Sequence, residues 1–282
     1  MIPRPAINQR PTVLAKPRKV FSIEKWDGSK SGEKIIIYAE TGMGKTTLSS
    51  LAPNPVFIGL DDGGRKLRHP TTGELLNVIP GVDTFDDVRM ALNASITLDC
   101  DTVVIDTITI LESWAEKWTL DHVAGPQNSK PENIESYGYN KGYKHLYDTM
   151  KLILLDLDKI SAAGKNIILV AQSTNNKIAN PGGEDFLCNG PRLYNGKPSI
   201  LSLYTEWADH ILRIDYQGLF VNKKSKIAAY GKASGDTTRV IYTKPEVFFM
   251  AKSRTISDPV ITFSTQSDDS IWQIMFNKKG VK

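Results

Sequence analysis

The sequence predicts an α/β fold: a mostly parallel sheet with helices on both faces and added antiparallel strands toward the C-terminal end. Three observations carry this. Short apolar runs rich in β-branched residues alternate with stretches of helical spacing between residues 35 and 173. A glycine loop follows the first of these runs directly and opens a helix. Past residue 173 the composition turns to Asn, Gly and Pro, and β-rich runs joined by short turns then follow. That ending fits extra strands on the same sheet better than a separate second domain.

The elements are read in order. "IIIY" (35–38) is a buried strand, and "KTTLSSLA" (45–52) is a short helix that Pro53 ends. "PVFIGL" (55–60) is a second strand, closed by Asp61 and Asp62. "DTFDDVRMALNAS" (83–95) is a helix: Thr84 can cap it, and Asp86 and Asp87 suit its positive end. "DTVVIDT" (101–107) is a third strand, and "LESWAEKWTLDHV" (111–123) has helical spacing. A polar stretch (124–143) precedes a long amphipathic helix (144–164) that stops at Gly164. "KNIILVAQS" (165–173) is a fourth strand, and residues 174–200 read as a long polar loop. "DHILRID" (209–215), "RVIYT" (239–243) and "EVFFMA" (246–251) read as the late strands.

Composition narrows the class. The chain has 282 residues, 40% hydrophobic and 23% charged, enough to bury a core without staples. No apolar run reaches the ~20 residues that cross a bilayer, and the N-terminus has no apolar signal core. Cys100 and Cys188 are far apart and suggest neither a disulfide framework nor a metal cluster. A cytoplasmic protein without membrane contact is expected. Net charge is +4, but the first twenty residues carry five cations, no acid and four prolines. This arm (1–20) is either a solvated tail or a segment that touches phosphates or a neighbouring subunit.

"YAETGMGKTTL" (38–48) departs from the G-x-x-x-x-G-K-[ST] phosphate loop only at its first position, where Ala39 replaces glycine. A small residue in ordinary β conformation serves there. Backbone N–H groups of Glu40, Thr41, Gly42, Met43, Gly44, Lys45, Thr46 and Thr47 would surround the phosphates. Lys45 would reach the β- and γ-phosphates, and Thr46 would place its hydroxyl on Mg2+. "VVID" puts Asp106 at a strand end, either as the second Mg2+ acid or as a helix cap, with Thr107 able to assist. Asp61 and Asp62 end the second strand; one of them orients or deprotonates the attacking water, or both belong to a solvated turn. Gln172 ends the fourth strand as a γ-phosphate sensor or a plain loop residue.

This ordered set resembles the RecA-type ATPase core. More narrowly it resembles the phage-encoded RecA-like proteins of the Sak single-strand annealing and recombination type. "IIIYAETGMGKTTL", "TVVIDTITIL", "YGYNKGYKHL", "GKNIILVAQS" and "VFFMAKSRT" carry the likeness over about residues 20–256. The resemblance implies a RecA-like core at 21–256 with a C-terminal extension at 257–282. It implies ATP and Mg2+ as cofactors, a homo-oligomer (ring or filament), and a host-cell cytoplasmic setting. It further implies single-stranded DNA as partner and possible work beside a single-strand-binding protein. Lys252 and Arg254 in "AKSR" match a Lys-x-Arg pair that reaches into the adjacent subunit's site; the plainer reading is two surface cations. Two departures stand: the second strand often ends in glutamate in these relatives, and no separate DNA-binding module is visible.

Single-strand binding combines cations with aromatic faces. Tyr137, Tyr139 and Lys141 precede the long helix, where Tyr143 and Tyr147 fit its core face instead. Lys177, Arg192 and Lys197 lie in the loop after Gln172. These six are the DNA-contact candidates. Two other readings of the same core are a ring-type replication ATPase (helicase or loader) and a nucleotide-gated scaffold without DNA binding.

Overall fold

The computed structural model describes residues 22–276 except 24, 26, 27, 29, 181, 218, 219, 223–231 and 235–237. The basic arm 1–20 lies outside the described residues.

A central sheet organises the chain. Four of its strands are β1 (Lys34–Ala39), β2 (Pro55–Gly59), β3 (Thr102–Asp106) and β4 (Asn166–Ile178). The others are β5 (Phe186–Pro191), β6 (His210–Tyr216), β9 (Arg239–Tyr242), β10 (Lys252–Ser253) and β11 (Val260–Phe263). Between β6 and β9, β7 (Phe220–Asn222) and β8 (Lys232–Ser234) form a separate two-stranded ribbon. The order across the main sheet is β11-β9-β6-β1-β4-β3-β2. From β6 through β2 all pairings are parallel, while β9, β10 and β11 run antiparallel. This is the mostly parallel sheet with late antiparallel strands that the sequence predicts.

Side chains alternate across a strand, and β1 divides its apolar residues between two layers accordingly. Ile36 and Tyr38 face one layer with α2 (Phe85–Ser95), α3 (Ile108–His122), α4 (Lys141–Ala162) and α5 (Ile200–Trp207). Ile35, Ile37 and Ala39 face the other, with α1 (Lys45–Ser50) and α6 (Ser270–Phe276). Trp272 of α6 closes that layer by donating its indole N–H to the Leu48 carbonyl at 2.8 Å. Every residue from Ile35 to Tyr38 is fully buried, as a strand covered on both faces requires.

The structure corrects several predicted elements. Residues 174–200 are not a structureless loop: β4 continues to Ile178 and pairs antiparallel with β5, making a hairpin, and α5 starts at Ile200. "EVFFMA" is not a strand. Glu246 and Phe249 bond each other's backbones in a tight turn, leaving Val247 and Phe248 exposed. The turn then docks on β5 through Asn189 N–H to Phe248 O and Met250 N–H to Asn189 O, both 2.8 Å. The long helix starts at Lys141, three residues early, after short turns at Pro126–Asn128 and Ile134–Tyr137. No helix is long and apolar enough to cross a membrane among the described residues.

Candidate functional site

The site forms where β1, β3 and β4 end together. β1 stops at Ala39, whose partner in register is Gln172 of β4. Ala39 sits in the strand and is nearly fully buried, so its methyl group meets no conformational penalty. The chain then turns through Glu40–Gly44, with Gly42 at φ 84° and Gly44 at φ 94°. L-side chains rarely adopt that region. At Gly44 a Cβ would also lie 2.6 Å from an Arg239 guanidinium nitrogen, so a side chain there would push that guanidinium aside. Met43 anchors the loop by burying its side chain in the layer beneath. Thr47 lies in α1, where its carbonyl accepts the Ser50 hydroxyl at 2.7 Å.

Lys45 reaches back across this loop. Its ammonium donates to Ala39 O at 2.9 Å, Glu40 O at 3.0 Å and Gln172 Oε1 at 3.0 Å. An ammonium has three donors, so all are used. The side chain is buried, and desolvation lowers its pKa from the ordinary lysine value. Gln172 is a junction. Its side-chain oxygen also accepts from Thr41 at 3.3 Å, its N–H donates to Thr109 Oγ1 at 3.1 Å, and its carbonyl accepts Arg192 N–H at 2.7 Å. Next to it, the Ser173 hydroxyl donates to Glu40.

Thr46 donates its hydroxyl to Asp106 at 2.6 Å. Asp106 is 7% exposed; burial lifts its pKa to about 6, and the nearby Asp61 charge adds to that against the Thr46 bond. The cap reading of Asp106 fails, because Thr107 caps α3 by accepting from Ile110 N–H. Asp106 is thereby free to face the loop. A hydroxyl and a buried carboxylate side by side are hard oxygen ligands, the donor set that Mg2+ takes together with phosphate oxygens and water. A divalent ion would also relieve the cost of the Asp106 charge.

Asp61 sits at the end of β2, near enough for its charge to act on both Asp106 and Lys45. It also closes its own turn by accepting Gly63 N–H at 2.9 Å. Asp62 begins the turn Asp62–Gly64. A cavity of about 470 Å3 opens beside Asp61 and Asp106, walled by Arg65, Pro80 and Trp114 among others.

The remaining candidates scatter. Lys252 and Arg254 lie at the opposite edge of the sheet, where β10 pairs with the start of β6. The Lys252 ammonium binds the last carbonyls of α5, including Thr205 O at 3.1 Å and Glu206 O at 3.3 Å. Arg254 is 60% exposed and pairs with Asp209 at 3.1 Å. Neither can reach the loop of its own chain. Tyr137 is corrected as a DNA contact: it is buried, and its hydroxyl donates to Thr119 O at 3.0 Å and Val123 O at 2.7 Å. Tyr139 is 99% exposed beside exposed Lys141. Lys177 pairs with Asp185 at 2.8 Å on the hairpin, and Arg192 and Lys197 are exposed beyond it.

Two charged residues, one at the loop and one on α3, escaped the sequence reading. Arg239 donates to Met43 O at 3.2 Å. Glu112 of α3 accepts Tyr194 N–H at 2.8 Å, and burial pushes its pKa to about 7. Neither sits in a motif, and each meets its partner across a long span of sequence.

A family model described as an AAA domain matches residues 31–255. Among curated proteins, none matches the chain. Among solved structures, the chain is similar to a KaiC-like protein from the hyperthermophilic archaeon Pyrococcus horikoshii OT3. The TM-score is 0.40 at 12% identity, covering 83% of this chain and 90% of that one.

Proposed function

Since the chain belongs to the AAA domain family and is a P-loop ATPase, we propose that it is a RecA-like ATPase whose nucleotide state gates binding of single-stranded DNA in phage recombination or annealing. The observation that carries this reading is Gln172. Its side chain takes one of the three donors of Lys45, and its backbone roots the β4–β5 hairpin. A phosphate that accepts from Lys45 must displace one of the three present acceptors. Two are backbone carbonyls, of Ala39 at the strand end and Glu40 at the loop start; Gln172 is the side chain that can turn away. Nucleotide arrival at Lys45 is thus coupled to the root of the hairpin.

ATP binds with its phosphates in the loop Glu40–Thr47, and Mg2+ supplies charge neutralisation at the γ-phosphate. Thr46 and Asp106 hold the ion. Asp61 orients the attacking water and takes its proton. Single-stranded DNA lies along the loop edge of the sheet, over Lys177 of the hairpin, Arg192, Lys197, and Tyr139 with Lys141 at the start of α4. The ring of Tyr139 is free to stack on a base, worth roughly 1–3 kcal/mol. Arg254, remote from its own loop, completes the site of an adjacent copy in a homo-oligomer.

The test is steady-state ATP hydrolysis by the whole chain, alone, with single strands and with duplex. Stimulation by single strands that Arg254→Ala abolishes is expected. Hydrolysis indifferent to any DNA overturns the DNA role and leaves the ATPase.

A further inference from the structure

Arg239 has a position that its place in the sheet alone does not explain. It starts β9, paired with Tyr216 of β6 on one side and Phe263 of β11 on the other. β9 lies on the side of β1 away from β3, so Arg239 and Asp106 flank the glycine loop from opposite sides. One guanidinium nitrogen donates to the Met43 carbonyl at 3.2 Å. The guanidinium carbon stands 4.4 Å from the centre of the Phe263 ring. Among the described residues no carboxylate forms an ion pair with it. A guanidinium stacked on an aromatic ring is rigid, permanently charged and fork-shaped. It has five donors, and Met43 takes one.

Phosphates held in Glu40–Thr47 have their metal-bound end at Thr46 and Asp106. A nucleotide with that end at Asp106 would run along the loop with its α-phosphate and ribose toward the β9 side. We infer that Arg239 is a nucleotide-binding residue in the same chain, contacting the α-phosphate and ribose half, with Phe263 as the plate that holds it. This rests on the ATP-site reading above. Gly44, whose φ turns the chain, also leaves the guanidinium its place: a Cβ there would displace it.

The contact is common to ATP and ADP, which fixes the test. Titration of the full chain with ATP and with ADP is measured for wild type, Arg239→Ala, Arg239→Lys and Phe263→Leu. Arg239→Ala is expected to weaken both nucleotides by the same factor, about tenfold or more for a lost charged contact. Arg239→Lys keeps the charge but loses the planar fork, and Phe263→Leu keeps the guanidinium but loses the plate; each gives a smaller loss. For Arg239→Ala the melting temperature without nucleotide stays near wild type while the rise on adding ADP shrinks; Phe263→Leu, at a fully buried position, is compared by its ADP-induced rise alone. Unchanged ADP affinity in Arg239→Ala overturns the assignment, as does a fall confined to ATP. A lowered melting temperature with both affinities intact also overturns it, reducing Arg239 to a brace for Met43. If wild type binds neither nucleotide, the site reading fails and takes Arg239 with it; normal wild-type binding with an unaffected variant sinks Arg239 alone.

Discussion

Asp106 carries its charge against its surroundings, and that has a measurable sign. Its pKa rises from 3.8 to about 6 in the folded chain. The folded state therefore holds a proton that the unfolded state has released between pH ~4 and ~6, and stability falls as pH rises through that window. Above it the full penalty remains, on the order of 2–3 kcal/mol from the size of the shift. Asp106→Asn keeps an acceptor for Thr46 and removes the charge. It is expected to stabilise the nucleotide-free protein at pH 7.5, with no gain at pH 4, in thermal melts across that range. The same variant should lose roughly 10–100-fold in Mg2+ affinity in the presence of ADP. Equal melting temperatures for both proteins at both pH values would contradict the buried charge. Glu112, lifted to about 7 by burial, obeys the same rule with its window shifted upward. Lys45, Thr46 and Asp106 were readable because each sits in a short motif whose spacing specifies the chemistry. Tyr137 was misread for the opposite reason: α3 covers it, and no local pattern announces that.

At the scale of elements, sequence reading held where the pattern was local and failed where pairing was remote. The α2 helix was predicted from Thr84, which accepts Asp87 N–H at 3.2 Å as expected. The core strands declared themselves through uninterrupted Ile and Val. The hairpin did not, because "STNNKI" has no apolar alternation and draws its strand character from β5 alone. Seven-residue α6 is too short to show periodicity. The hairpin gives the DNA proposal a sharp test. Each cation that neutralises a phosphate of a single strand contributes about 0.7 to the slope of log K against log salt. Lys177→Ala with Arg192→Ala should flatten that slope by about 1.4, in fluorescence anisotropy across a salt series. A slope identical to wild type would remove the hairpin from the DNA interface.

For the whole molecule, sheet order and assembly lay beyond the sequence, since strand neighbours such as β1 and β6 are separated by most of the chain. The placement of Lys252 and Arg254 at the far edge makes a shared site testable by mixing. Lys45→Ala lacks a working loop but keeps Arg254; Arg254→Ala is the reverse. Each alone should be nearly inactive, and a mixture should regain hydrolysis, because some interfaces then pair a sound loop with a sound arginine. A mixture no more active than its parts would place Arg254 outside the chemistry. One further contact bears on such an assembly. The Tyr38 hydroxyl, on the strand that feeds the glycine loop, donates to Asn189 O at 3.2 Å and also to Met250 O. Asn189 belongs to the hairpin, and Met250 lies two residues before Lys252. Beside the two backbone bonds that already join Asn189 to the 248–250 turn, this phenol ties both the hairpin proposed for DNA and the segment leading to Arg254 to β1. Neither can slide on β1 without dragging or releasing the other. On the assembly proposed above, the hairpin and the segment leading to Arg254 would then shift against β1 as one piece, so that a pull on either is felt at the strand feeding the glycine loop.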